Sequence, residues 1–240
     1  HAPAALSGAL LGCLCLALLF LGGHWPETVC ETVENDCRDP PDYWTIHGLW
    51  PDKSEGCNGS WHFNLEEIKD LLPEMKALWP DVIHSFPNRS HFWKHEWEKH
   101  GTSAAVVDAL NSQKYFSRSR ELYRELDSNS VLLKLRLKPS VNYYQVADFK
   151  DALVRVYGVI PKIQCLPRSQ DGEVQTIGQT ELCLTEQVWL ADGAAKSRGL
   201  RVCEDGPVFY PPPKKKQALM PKFGKYSVLK SKRNSLSAAF

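Results

Sequence analysis

The sequence predicts an α+β protein in which a mainly antiparallel sheet packs against helices, and three observations predict it. Helical spacing of apolar residues fills the first half of the chain. Short β-prone pieces separated by Gly, Pro, Asp and Ser fill the second half. The length of 240 residues, 43% of them hydrophobic and 24% charged, suffices for one sizeable core in a globular protein. No internal repeat is visible.

Residues 4–23 are apolar and then small, which is the pattern of the h-region and cleavage region of a secretory signal, so residues 1–23 read as a leader. A basic n-region is missing. The run barely reaches the roughly 20 apolar residues of a membrane span, contains several glycines and lacks a flanking charge cluster, so no stable membrane insertion is expected. Residues 24–44 are irregular and rich in Pro and Asp, and Trp44-Thr45-Ile46 then reads as a buried strand with His47 at its end. Asn64 is placed to cap a helix from Leu65 to Trp79, with Glu66 and Glu67 where the helix dipole favours acids and Pro73 positioned to kink or split it.

A second helix spans residues 90–100, opened by Ser90 and stopped at Gly101. Helices at 103–111 and 114–127 follow, the latter with its apolar face at Tyr115, Phe116, Leu122, Tyr123 and Leu126. The pattern then changes to a strand from Val141 to Val146 and a helix from Asp148 to Tyr157. Short strands are expected at Lys162–Leu166, Glu173–Ile177, Glu181–Leu184, Gln187–Leu190 and Leu200–Cys203. One domain over residues 24–210 is therefore expected, followed by a basic, disordered tail over 211–240.

The net charge of +1 conceals an asymmetry. Eight of the 29 basic residues lie in 211–240, which has no acid, leaving 21 basic against 28 acidic groups in residues 1–210. An acidic body repels polyanions at neutral pH, so a nucleic-acid site has to be local, or has to work where histidines are protonated.

Six cysteines follow the leader: Cys30, Cys37, Cys57, Cys165, Cys183 and Cys203. An even count in a secreted chain suggests disulfides, and spacing alone leaves the pairing open, although Cys30 and Cys37 are close enough for a local loop. No Cys-x-x-Cys pair is present and the spacings do not match a zinc site, so no metal is expected. The sequons at Asn58 and Asn88 fit glycosylation in the same secretory compartment.

The chemistry-bearing residues gather in two segments, Thr45-Ile46-His47-Gly48-Leu49-Trp50-Pro51-Asp52 and His91-Phe92-Trp93-Lys94-His95-Glu96-Trp97-Glu98-Lys99-His100-Gly101-Thr102. On a helix, Glu96 and His100 share a face, as do His95 and Lys99. A solvated amphipathic helix with surface histidines explains either segment alone; the two together favour catalysis. His95 and His100 are five apart, not the four of a His-Glu-x-x-His zinc motif, and no Gly-x-Ser-x-Gly elbow is present. What remains is metal-free acid–base catalysis at a phosphodiester, in which one neutral imidazole accepts a proton and one imidazolium donates one. RNA supplies the nucleophile in its own 2′-hydroxyl, and a histidine pKa near 6.5 favours mildly acidic medium.

The segments His47-Gly48-Leu49-Trp50-Pro51 and Lys94-His95-Glu96-Trp97-Glu98-Lys99-His100-Gly101-Thr102 resemble the two active-site segments of the ribonuclease T2 family of secreted and lysosomal acid endoribonucleases, and the resemblance runs from about Trp25 to Tyr210. It implies His100 as general base, His47 as general acid, and His95, Glu96 and Lys99 as the residues that hold the phosphate and stabilise the transition state. It places Trp50 and Asp52 at one base and Phe92 at the other, pairs Cys165 with Cys203, and implies a monomer acting on single-stranded RNA without cofactor or metal, in the secretory pathway or lysosome.

The chain departs from that family in two places. The family has a hydrophobic strand before Trp25-Pro26; here that strand is either absent or replaced by leader residues Leu16–Leu21. Ser103 stands where the family has the cysteine that pairs with the one matching Cys57, and Cys183 is unmatched as well. A degenerate relative that keeps the catalytic residues but acts at most as a binding protein is the alternative expectation.

Overall fold

A computed structural model describes residues 19–32, 37, 40–51, 60–83, 90–104, 111–167, 174–184 and 199–214. Strand β1 (Leu19–His24) lies inside the sheet, antiparallel to β2 (Thr45–Pro51) on one side and to β5 (Gln175–Cys183) on the other. Residues 19–23, which the sequence places in the leader, are thus part of the sheet. Residues 19–23 supply the strand, because a short apolar run fits a buried strand as well as a signal h-region and periodicity alone does not separate them.

The sheet continues from β5 to β4 (Lys162–Leu166) and then β6 (Arg201–Val202), giving the order β2-β1-β5-β4-β6. A short β7 (Pro207–Phe209) runs parallel to β5 and antiparallel to β3 (Tyr144–Gln145). All remaining pairings among the described residues are antiparallel. The two strand pieces expected around 173–177 and 181–184 are one strand. The strand expected from Val141 to Val146 shortens to two residues, because Gln145 and Asp148 form a reciprocal capping box that starts a helix at Val146.

Six α-helices are described: α1 (Pro26–Glu31), α2 (Leu72–Leu78), α3 (Ser90–Glu96), α4 (Ser112–Leu126), α5 (Ser128–Lys134) and α6 (Val146–Tyr157). A 3₁₀ segment over Leu65–Leu71 leads into α2. The Asn64 side chain accepts from Glu66 N at 3.1 Å, and Pro73 sits in the first turn of α2, where its missing N–H leaves no bond unmade. Asn111 caps α4 in the same way, accepting from Lys114 N at 2.9 Å. Helices α1 and α5 fall where the sequence predicts no helix. The strand expected at 187–190 and most of the helix expected at 103–111 lie outside the described residues; Thr102–Ala104 are helical.

Two buried clusters flank the sheet. One joins Trp25, Trp44, Phe149, Ile163, Ile177 and Tyr210; the other joins Leu21, Ile46, Leu49, Trp79, Trp97 and Tyr115. The folded body passes the expected limit at residue 210. Pro211 and Pro212 are buried, and the Pro211 carbonyl accepts from Trp25 Nε1 at 3.0 Å. Disulfides join Cys30 to Cys37 and Cys165 to Cys203, the second tying β4 to the residue after β6. Cys57 lies outside the described residues.

A chain that starts at residue 24 loses β1, which leaves backbone groups of β2 and β5 unsatisfied in the interior. It is expected to show no cooperative thermal transition by circular dichroism. In the intact chain, Leu21→Ala is expected to lower stability by about 2–5 kcal/mol in denaturant titration, the usual range for truncating a buried leucine.

Candidate active site

The side chain of His47 owes its direction to a break in strand register. Gly22 pairs with Gly48 and Gly23 with Ile46, so His47 is the extra residue of a bulge and has no partner across β1. Strict alternation would put Ile46 and Leu49, three residues apart, on opposite faces, yet both enter the same core. The bulge reconciles them and turns His47 and Trp50 to the other face. Its carbonyl, left out of the ladder, accepts from Trp79 Nε1 at 2.8 Å, and the Leu49 carbonyl accepts from the Tyr115 hydroxyl at 2.9 Å.

A second break acts on β5. Cys165 pairs with Ile177 and Gln164 with Gln179, so Gly178 is skipped. Ile177 therefore enters the core while Gln179, two residues on, faces the site beside its cross-strand neighbour His24. The Gln179 side chain, fully buried, has its Oε1 2.6 Å from His47 Nδ1.

The other half of the site comes from α3 and the turn after it. Residues Trp97–Gly101 wind as a π-turn, which adds one residue to the helical repeat. Although His95 and His100 are five apart in sequence, their ring centroids are therefore only 6.5 Å apart. A Cβ at Gly101 would overlap the Trp97 ring, so glycine is what lets the turn close on that indole. Glu96 and His100 are buried, Lys99 is half-buried and His95 is exposed.

Trp50 joins the two halves. Its indole centroid is 4.9 Å from the His47 ring and 5.9 Å from the His100 ring, and its Nε1 donates to Glu96 Oε2 at 2.9 Å. The opposed pair Gly22 and Gly48 makes the seat, since a Cβ on either would overlap the indole and one on Gly48 would also strike the Glu96 carboxyl. Trp50 is 2% exposed, so in this conformation it has no free face for a nucleobase. Phe92, half-buried, lies with its ring 5.9 Å from His47 and 6.5 Å from His24. Asp52 and the sequons at Asn58 and Asn88 lie outside the described residues.

Burial dominates the electrostatics. Desolvation pushes His47 down to about 4, against the Gln179 hydrogen bond and helped by the charges of His95 and Lys99. Desolvation likewise pushes His100 down to about 3, with Lys99, His95 and His47 adding to it. Glu96 is pushed up to about 8 by burial, against the Trp50 hydrogen bond and Lys99. Between pH 5 and 7 the site therefore holds two neutral imidazoles and a neutral carboxyl: a base ready to accept, and an acid group able to donate a hydrogen bond to an anion.

Sequence reasoning missed His24, Gln179 and Glu181. The one available signal for the last two was Gln and Glu at alternate positions of a β-prone piece, which puts both on one strand face.

Two imidazoles, a carboxyl and an ammonium from distant chain segments thus gather where a bulged antiparallel sheet meets a helix, and groups of these types can exchange protons with an anionic substrate. Comparison with known proteins supplies the rest. The sequence model of the Ribonuclease T2 family matches residues 16–191. Human Ribonuclease T2 is 75% identical over 251 aligned positions, covering 89% of this chain and 98% of the relative. Ribonuclease T2-A of Mus musculus is 60% identical over 219, covering 83% and 84%. The crystal structure of human RNase T2 superposes with a TM-score of 0.73 at 78% identity, covering 82% of this chain and 100% of that one. The chain belongs to the ribonuclease T2 family.

Two results test this site. Gly22→Val places methyl groups where the indole sits, so a fluorotryptophan resonance assigned through Trp50→Phe should move from a buried to a solvent-exposed position. Glu96 binds its proton more tightly folded than unfolded, so its burial is harmless below the carboxylate value of 4.5 and destabilises increasingly as pH rises to about 8. Glu96→Gln should accordingly leave Tm nearly unchanged at pH 4 and raise it at pH 8, read by calorimetry.

Proposed function

We propose that this T2-type endoribonuclease cleaves single-stranded RNA by metal-independent transesterification to 2′,3′-cyclic phosphate products. His100 removes the 2′-hydroxyl proton, the 2′-oxygen bonds to phosphorus, the bond from phosphorus to the 5′-oxygen breaks, and His47 gives that leaving oxygen its proton. His95, Glu96 and Lys99 act on the phosphoryl oxygens: the ammonium opposes the growing charge, and the neutral Glu96 carboxyl donates to it once the indole no longer occupies Oε2. Phe92 offers a ring face to one base, and Trp50 and Asp52 serve the other. The two disulfides fit an oxidising compartment, which supports secretion or delivery to the lysosome.

The observation that carries this reading is that His47 and His100, 53 residues apart in sequence, lie against one indole with Glu96 bonded to it. A second reading, a T2-like protein that retains these residues without turnover, is favoured by the same indole, which packs against both imidazoles and binds the Glu96 carboxyl. The first requires the indole to swing out when RNA enters.

The order of the two histidines sets the pH profile. The acid His47 titrates at about 4 and the base His100 at about 3, so the working form, His47 charged and His100 neutral, is most populated between those values and falls as pH rises past the upper one. A bound phosphodiester anion raises both. Initial rates on single-stranded RNA should show kcat/KM falling from acid toward neutral pH, with the kcat profile displaced to higher pH. His47→Ala and His100→Ala should each abolish cleavage, a chelator should have no effect, and DNA, which lacks the 2′-hydroxyl, should resist. Wild-type protein inactive at every pH supports the second reading; cleavage of DNA or activity in both alanine variants overturns the first.

A further inference from the structure

We propose that Gln179, oriented by Glu181, is the positioning residue of the acid histidine, fixing the proton of neutral His47 on Nδ1 and so reserving Nε2 for the reaction. The inference rests on the reading of His47 as general acid.

The contacts permit one consistent assignment of hydrogens. Glu181 is 1% exposed, and its Oε1 accepts from Gln179 Nε2 at 2.7 Å and from Gln164 Nε2 at 2.8 Å. An ionised carboxylate oxygen only accepts, so with Glu181 ionised both amide groups turn their NH₂ toward it. Gln179 is then left with its carbonyl oxygen toward His47, at 2.6 Å from Nδ1. A carbonyl only accepts, so Nδ1 must hold a hydrogen in both the neutral and the charged imidazole. When His47 gives up its catalytic proton, that proton leaves from Nε2.

The sheet makes the arrangement rigid. Gln179 and Glu181 lie two apart on β5, on the face that the Gly178 bulge turns toward the site, and Gln164 is the cross-strand partner of Gln179 on β4. Lys162 Nζ lies 3.9 Å from Glu181 Oε2, so a cation flanks the oxygen that the amides do not use. Burial pushes Glu181 up to about 6, with Lys162 and the Gln179 hydrogen bond opposing. Above that pH the carboxylate is ionised and its oxygens only accept, and His47 is neutral there as well, so the tautomer is read in that range. Other groups face His47 without competing for this role. His24 is 5.2 Å away ring to ring and is held neutral by its burial, while His95, Lys99 and His100 lie on the side of α3 and its π-turn.

The test uses the full chain and two readouts. In protein labelled with ¹⁵N at histidine, neutral His47 should show the Nδ1–H tautomer in the wild type and a shift toward Nε2–H in Gln179→Leu. On single-stranded RNA, Gln179→Leu should lose ~10–100-fold in kcat, the range typical when the partner that orients a functional histidine is removed, with KM little changed and the limb assigned to His47 moved to lower pH. Gln179→Glu restores an acceptor and adds a charge, so it should recover much of kcat and move that limb to higher pH. Glu181→Gln, which leaves Gln179 free to flip, should give a mixture of tautomers. An Nε2–H tautomer in the wild type overturns the proposal without any variant having to fold. Unchanged kcat and pH profile in a folded Gln179→Leu also overturns it, while retained activity in His47→Ala would instead overturn the reading beneath it.

Discussion

The pairing of β1 with β2, and within it the opposition of Gly22 to Gly48, governs everything at the site. Leu21 and Leu49, the neighbouring pair, anchor the strand in the core on one face. On the other face the two glycines leave a trough one side chain deep, into which the Trp50 indole fits. The next step of the ladder holds the bulge, which gives His47 its direction. Remove the strand, and the trough, the bulge and the packing of Trp50 against Glu96 have nothing to lean on. A run of residues with the composition of a leader thus becomes the element around which the candidate catalytic groups are arranged.

Water exclusion follows from that packing. The indole covers Glu96 and lies against both imidazoles, so none of the three is easily charged, and each is displaced from its ordinary pKa in the direction burial dictates. Such displaced groups are what acid–base chemistry on an anionic substrate draws on: a base free of its proton in acid medium, and an acid whose proton becomes stable only when a phosphate charge arrives. Displacing the seated indole, as the proposed reaction requires, would uncover all three groups at once and return them toward their ordinary charges.

Much of this was legible in the sequence, for identifiable reasons. Short motifs carry their own chemistry, so His47, His95, Glu96, Lys99 and His100 could be nominated as candidates without coordinates. Local signals were equally direct: Asn64 caps where its side chain reaches, and Pro73 divides a helix because it has no N–H to give. What stayed hidden depends on register. Neither bulge has a sequence signature beyond a glycine in β1 or β5, and the π-turn that brings His95 near His100 reads as ordinary helix. The partnership of Gln179 with His47 joins residues 132 apart and needs the strand order β2-β1-β5, with a leader-like β1 in the middle.

The central claim is that the indole and an RNA phosphate compete for one place beside both imidazoles. Titration of the His47 and His100 ring resonances by NMR, with and without a 2′-deoxy dinucleotide that binds but lacks the attacking hydroxyl, tests it most directly. The account predicts that the ligand raises the pKa of both histidines and displaces the Trp50 indole signal over one shared concentration range. Saturating ligand that leaves both histidines and the indole where they were would contradict it.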